Sequence, residues 1–282
     1  MITEPGVYPS LDEMVYHGDS ALAPHLGRSL SYSGAKVLLE SPARYAYQRT
    51  HRVEKPAFDF GHLAHALILG VSQGIRVIDC YDWKLKRHQD ERKEAYAAGL
   101  IPVSRADLLA ASRLARAVKL HPVAGRLFAQ GKSEVSMYWI DPDTGVTCRG
   151  RVDSLHPRAV LDLKTCRDAS PTGFAKDVAS FHYELQDAFY RNGIRATTGE
   201  DLPFIFICVE KEPPHFVGLY QLDHEATRIG EEEYAEALAL FAECEARRAA
   251  GDPDAYPGLS PEIQPLSLPR WAVYAHDNRS NA

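Results

Sequence analysis

The arrangement of apolar and polar positions changes character partway along the chain. In the first part the apolar residues recur at helical spacing. Phe60, Leu63, Ala64, Leu67 and Ile68 fall on one face and predict a buried helix over 58–69. Helix starts are marked as well. Ser31 and Ser33 can cap a short helix through Leu39, and Ser41 followed by Pro42 places an N-cap ahead of a proline at the first helical position. A charged helix is predicted over 83–98. Another begins at Ser104, three residues before Asp107. The first 30 residues, broken by Gly and Pro, read as an extended entry.

From Ser133 the period shortens. Residues 134–140 (EVSMYWI) are strand-like, Asp141-Pro142-Asp143-Thr144-Gly145 is a turn, and 146–155 and 159–165 are two further strands joined at His156-Pro157-Arg158. The three form an antiparallel meander. Helices follow over 171–179 and 181–198, then strands over 204–210 and 216–222 separated by Pro213-Pro214. A long helix runs from 225 to about 249, and the tail is proline-rich and irregular. This order predicts an α/β (α+β) fold, a mixed central sheet flanked by helices, with an N-terminal helical section over 31–130 and a sheet-containing core over 131–272. Residues 1–30 and 273–282 are expected to lie outside that unit.

Composition narrows the function. No apolar run approaches the roughly 20 residues that cross a bilayer, and the N-terminus lacks a basic region followed by an apolar one, so no membrane attachment or secretion is expected. The cysteines (Cys80, Cys148, Cys166, Cys208, Cys244) are scattered and odd in number. They make neither a zinc nor an iron–sulfur pattern, and they fit a reducing cytoplasm. Any metal is then held by oxygen and imidazole. The net charge of −6 argues against a nucleic-acid binder that uses its whole surface. A local basic patch remains available in Lys84, Lys86, Arg87, His88, Arg92 and Lys93, although Asp90, Glu91 and Glu94 interrupt it and a solvated helix face is the plainer reading.

Strand alternation identifies candidate chemistry. Val160, Asp162 and Lys164 share one face of their strand, opposite Leu161 and Leu163; in the preceding strand Arg149, Arg151 and Asp153 share a face. The short connection makes the strands neighbours, so their polar faces can bring two carboxylates and a lysine together. Paired carboxylates bind a hard divalent cation, Mg2+ with Mn2+ as a substitute, which leaves water sites for a phosphate. A lysine two residues along can orient or deprotonate the attacking water, or stabilise developing charge. Taken alone, an Asp-x-Lys on a strand is more often an exposed, solubilising pair.

Longer runs add to it. Gly150-Arg151-Val152-Asp153, Leu161-Asp162-Leu163-Lys164-Thr165 and His182-Tyr183-Glu184-Leu185-Gln186-Asp187-Ala188-Phe189-Tyr190 resemble the nuclease domain of exonuclease VIII, the RecE-type member of the PD-(D/E)XK superfamily. Phe60-Gly61-His62-Leu63-Ala64-His65 resembles its histidine-bearing helix, residues 136–145 its first hairpin and residues 266–272 its end. The resemblance spans about 31–272 as one nuclease domain and implies a restriction-endonuclease-like core. It implies Asp153, Asp162, His65 and the Leu163 carbonyl as metal ligands, and Lys164 as the catalytic lysine. Gln186 and Tyr190, four apart on one helix, match a positioning motif of related nucleases, with packing an equal alternative. Val152 stands where the superfamily name has proline. His62 reads as a bystander and His182 as structural or DNA-facing; Glu134, at the start of its strand, could reach the site, with a solvated strand end the plainer reading. Arg151 and Arg149 hold a phosphate or simply neutralise carboxylates.

The resemblance further implies a processive 5′→3′ exonuclease on double-stranded DNA ends, leaving 3′ single-stranded tails for recombination. It also implies a ring-shaped homo-tetramer, a single-strand annealing partner of the RecT type and a phage, prophage or bacterial setting. Lys84, Lys86 and Arg87 are candidates to line its DNA channel. The alternatives are a DNA-binding ring scaffold that has lost hydrolysis, and a nuclease of the iron–sulfur branch, which the cysteine pattern disfavours.

Overall fold

A computed structural model describes residues 2–9, 11–12, 15–16, 22–51, 60–71, 74–98 and 100–280. In chain order its elements are β1 (Gly6–Tyr8), β2 (Ser29–Ser31), α1 (Tyr32–Glu40), α2 (Pro42–Thr50), α3 (Phe60–Leu69), β3 (Ile75–Ile78), α4 (Lys86–Ala97), β4 (Ile101–Ser104), α5 (Arg105–Leu120), α6 (Ala124–Gln130), β5 (Lys132–Ile140), β6 (Thr147–His156), β7 (Ala159–Cys166), α7 (Pro171–Phe181), α8 (Tyr183–Thr198), β8 (Phe204–Glu210), β9 (Val217–Tyr220), α9 (His224–Ala249) and α10 (Arg270–Ser280).

The helix starts follow from local chemistry. Ser31 Oγ accepts from Gly34 N, Ser41 Oγ from Arg44 N, and Ser104 Oγ from Asp107 N, each supplying a partner to an N–H that the helix leaves unpaired. The boundaries differ from the sequence expectations in informative places. Positions 58 and 59 of the expected histidine-bearing helix lie outside the described residues. The helix expected over 83–98 starts at Lys86. The helix expected from 181 is interrupted at His182, whose left-handed backbone (φ 56) ends α7 and starts α8. The tail, expected to be irregular, is helical over Arg270–Ser280. The entry segment is not a bystander to the sheet: β1 pairs antiparallel with β5, and β2 pairs parallel with β6. A small parallel pair, β3 with β4, stands apart from the main sheet and was not anticipated.

The main sheet is mixed, ordered β1-β5-β6-β7-β8-β9, with β2 also on β6. The meander β5-β6-β7 is antiparallel, whereas β8 runs parallel to β7 because the α7–α8 crossover returns the chain to the same end. Helices cover both faces. On one side Leu185, Ala188 and Phe189 of α8 and Leu238 and Phe241 of α9 pack with Leu38 of α1 against Met137, Trp139, Val160, Phe204 and Phe206. On the other, Leu63 and Ala64 of α3 and Leu114 and Val118 of α5 pack against Leu161, Leu163 and Ile207.

Two departures from a regular ladder position the site. First, β6 pairs with β7 only at Ser154–His156 against Ala159–Leu161. Beyond that β6 turns to β2 and β7 to β8, so the strands fork just where Asp153 and Asp162 stand. Second, Val152 and Leu155 both pack against the first core although three residues apart, so alternation breaks between them. The break lies beside Glu134, which sits between the Ser133–Ser154 and Val135–Val152 pairs in a left-handed conformation (φ 54). A non-glycine residue there stores strain, of the kind that persists when its surroundings impose it.

Candidate active site

The fork leaves polar groups facing a gap between strands, and the side chains fill it from both layers. Asp153 Oδ2 accepts from the backbone N–H of Leu163 at 2.6 Å, which ties the two diverging strands together. The same oxygen lies 2.7 Å from His65 Nε2, which α3 carries in from the second core's layer. Asp162 is turned to the opposite layer. Its Oδ1 accepts from Gln186 Nε2 of α8 at 2.7 Å, and its Oδ2 lies 2.5 Å from Lys164 Nζ. The two aspartates therefore do not share one polar face, as plain alternation predicted. They meet through the fork, one supported by α3 and the other by α8.

Glu134, expected to be a solvated strand end, is part of this cluster. Its Oε1 is 3.6 Å from His65 Nδ1 and its Oε2 is 4.0 Å from Arg151 Nη1. His65, Glu134 and Asp153 each offer a ligand atom within 4.8 Å of one another. No simple sequence signal marks Glu134, because its placement comes from a left-handed backbone that a glutamate seldom adopts. Arg151 is held by Ser136 Oγ at 2.8 Å, the Leu11 carbonyl at 2.8 Å and the Tyr16 ring 4.5 Å below its guanidinium.

Lys164 is likewise held in place, its Nζ 4.5 Å above the Tyr183 ring. Tyr190 contributes no hydrogen bond to the carboxylates; its ring meets Tyr32 edge-on at 6.3 Å, and a Cβ at Gly150 would come within 3.1 Å of it. Gly150 thus keeps β6 bare where α8 crosses it. His62 is not among the ligand-type groups that converge there among the described residues. Lys84, Lys86 and Arg87 lie elsewhere, at the start of α4, which packs on the small β3–β4 sheet. Arg87 leans on its neighbours, 3.0 Å from His88 Nε2 and 5.7 Å from the Tyr81 ring centroid. None of the three has a hydrogen bond, ion pair or ring contact with the aspartates among the described residues.

The electrostatics separate the two carboxylates. Burial raises the Asp162 carboxyl and Asp153 adds to this, outweighing Lys164, so that it rises to about 6. Asp153 goes the other way: against burial, the His65 ring, Lys164 and the Leu163 N–H hold it below the usual carboxylate range. Burial alone would lower His65, but Asp153, Glu134 and Asp162 outweigh it and lift the imidazole to about 9. Three carboxyl groups, Glu134, Asp153 and Asp162, thus stand against His65, Arg151 and Lys164 at this gap. Gln186 Oε1 is buried without a hydrogen-bond donor, and Asp162 Oδ2 faces Lys164 Nζ. Carboxylate oxygens with one imidazole and water fit a hard divalent cation, and the fit does not need sulfur.

The sequence profile of a family described as a PDDEXK-like domain of unknown function (DUF3799) matches residues 31–253. Among solved structures, a candidate exonuclease from Eubacterium rectale is similar with a TM-score of 0.59 and 16% identity, over 94% of this chain and 98% of that one. At that identity the likeness concerns the fold. The structure of SSO0001 aligns over 72% of this chain and 85% of its own at 15% identity, with a TM-score of 0.25 that carries no argument. No curated protein matches the chain.

Proposed function

The chain belongs to the family of PDDEXK-like domains, and from that premise we propose that it is a divalent-metal-dependent DNA nuclease that hydrolyses phosphodiester bonds. One observation carries the reading. Two aspartates on diverging strands anchor adjoining sets of contacts, Asp153 with the His65 imidazole and the Leu163 N–H, and Asp162 with Gln186 and with Lys164 two residues beyond it. Asp153, Asp162, His65 and the Leu163 carbonyl would hold Mg2+ or Mn2+, with Glu134 beside them. When bound, such an ion polarises the phosphoryl oxygen and lowers the pKa of a water it carries.

The rest falls to the protein's own groups. Lys164 Nζ, beside Asp162 and above Tyr183, orients the attacking water and neutralises the charge that develops on the phosphate. Gln186 fixes the rotamer of Asp162, and through it the position of Lys164. Arg151 brings a cation to the Glu134 side of the gap, where a substrate phosphate can pair with it. Tyr190 packs α8 beside Gly150 and Tyr32 and so holds the helix that bears Gln186.

The finer reading is a processive exonuclease that degrades linear duplex 5′→3′ and leaves a 3′ tail, works as a ring-shaped tetramer and hands its product to a RecT-type annealing protein. It rests on the RecE-type resemblance. The exposed apolar side chains Leu259, Ile263, Leu266, Leu268 and Trp271 offer surface that such an assembly would cover. Incubation with linear duplex labelled at each 5′ end, in Mg2+ and in EDTA, tests both levels. Mg2+-dependent release of labelled 5′ nucleotides supports the full reading. Cleavage from the 3′ end or internally keeps the nuclease and removes the polarity. Binding without cleavage under any divalent metal leaves a DNA-binding scaffold.

A further inference from the structure

A second convergence of ligand-type side chains lies where α8 meets α9. His182, Glu184 and Glu233 each offer a ligand atom, and the three atoms lie within 4.8 Å of one another. His182 Nδ1 is 3.3 Å from Glu233 Oε1 and 3.6 Å from Glu184 Oε1. The close approach of the helices produces this. A Cβ at Gly230 would stand 2.1 Å from the Glu184 carbonyl oxygen, so the two backbones touch there, and Glu233 follows one turn later on α9.

The cluster is more than acidic side chains near a surface. Glu184 is 8% exposed, and its Oε2 is buried with no hydrogen-bond donor; Glu233 Oε2 is in the same condition. Among the described residues no lysine or arginine pairs with either carboxylate, and the His182 imidazole faces both. Burial, reinforced by Glu233, raises the Glu184 carboxyl against the pull of its own backbone N–H and of His182. Two carboxylates with oxygens lacking donors, turned toward one imidazole, have the donor atoms of a cation site without the cation's charge.

We propose that His182, Glu184 and Glu233 form a second divalent-cation site, separate from the Asp153–Asp162 centre, for a transition-metal ion that accepts mixed imidazole and carboxylate ligands, such as Mn2+ or Zn2+. The ion clips the first turn of α8 to α9. That turn carries Tyr183, under Lys164, and leads to Gln186, on Asp162, so an ion here steadies the supports of the first centre from behind. Tyr32 lies between the two, its hydroxyl donating to the Phe181 carbonyl at 2.8 Å and its ring against Tyr190. Binding at this site does not depend on the nuclease reading.

Mn2+ titration with free ion counted by electron paramagnetic resonance tests it. In protein carrying Asp153→Asn and Asp162→Asn, one bound Mn2+ per chain is expected to remain. Adding Glu233→Gln or His182→Ala is expected to weaken that ion about tenfold or more, with the circular dichroism spectrum unchanged. If the aspartate variant does not fold, the same loss of one ion per chain is read by comparing Glu233→Gln with the unsubstituted protein. Equal Mn2+ binding with and without Glu233→Gln, or no ion retained once the first centre is disabled, overturns the proposal.

Discussion

Asp153 and Asp162 stand on facing strands, yet their neighbours drive them to opposite protonation behaviour, and this makes the site's response to pH predictable. Without metal, the fold favours protonated His65, lifted from 6.5 to about 9, and protonated Asp162, lifted from 3.8 to about 6. The stabilisation from His65 is complete below about 6.5 and is lost as pH rises through about 9; that from Asp162 is lost between about 4 and about 6. Asp153, lowered, acts in reverse and loses its contribution in acid. If His65 and Asp162 hold the proposed ion, its binding must displace their protons. The Mg2+-induced rise in Tm should therefore grow from about pH 6 to about pH 9, and calorimetry should detect proton release. A rise independent of pH would show that these groups do not bind the ion. Glu134 offers a second test. In its left-handed backbone, Glu134→Gly should be more stable than Glu134→Ala by about 1 kcal/mol in urea unfolding, while both lose metal affinity. Equal stability would remove the strain from the account. Strand alternation put Asp162 and Lys164 on one face, where they pair, but not the fork that turns Asp153 to the other layer, and His65 was named through a family likeness. Glu134 was within reach by its place in the strand, but the left-handed backbone that brings it to the cluster is not announced by residue types.

Among the elements, α8 does the most to shape the site, and glycines on it and on its partners let it approach. Gly150 leaves room for Tyr190, Gly193 avoids contacts of 2.8 Å with Trp139 and 2.9 Å with Met137, and Gly230 lets α9 meet the Glu184 backbone. Gly230→Ala must part the helices and is expected to cost about 1–3 kcal/mol, measured by chemical denaturation, and to lower activity by shifting Gln186. Unchanged stability would mean that the helices can slide apart freely. Most elements could be read from pattern and caps, since Ser31, Ser41 and Ser104 mark helix starts by the bonds they make. The parallel β3–β4 pair and the attachment of β1 and β2 could not. These strands have three or four residues each, too short for a period, and β1 finds its partner some 130 positions away. The fork between β6 and β7 was also invisible, because it depends on which strand each takes as its next neighbour.

At the scale of the whole molecule, the net charge of −6 argues that any DNA binding is local. If the start of α4 lines a channel, replacing Lys86 and Arg87 with alanine should weaken duplex binding and flatten its salt dependence by about one ion per lost phosphate contact. An unchanged slope would return α4 to the role of a solvated face. Among the described residues no helix is long and apolar enough to cross a membrane. The fold class was legible because three strands, two helices and two more strands in that order leave few arrangements; the crossover helices make β7 and β8 parallel. The most direct test of the account is single-turnover hydrolysis of linear duplex DNA in Mg2+ by the unsubstituted protein and by Lys164→Ala. The account predicts hydrolysis that falls at least about 100-fold in the variant, with DNA binding retained. Equal rates in the two proteins would contradict it, because the network around Asp162 would then have no part in the chemistry.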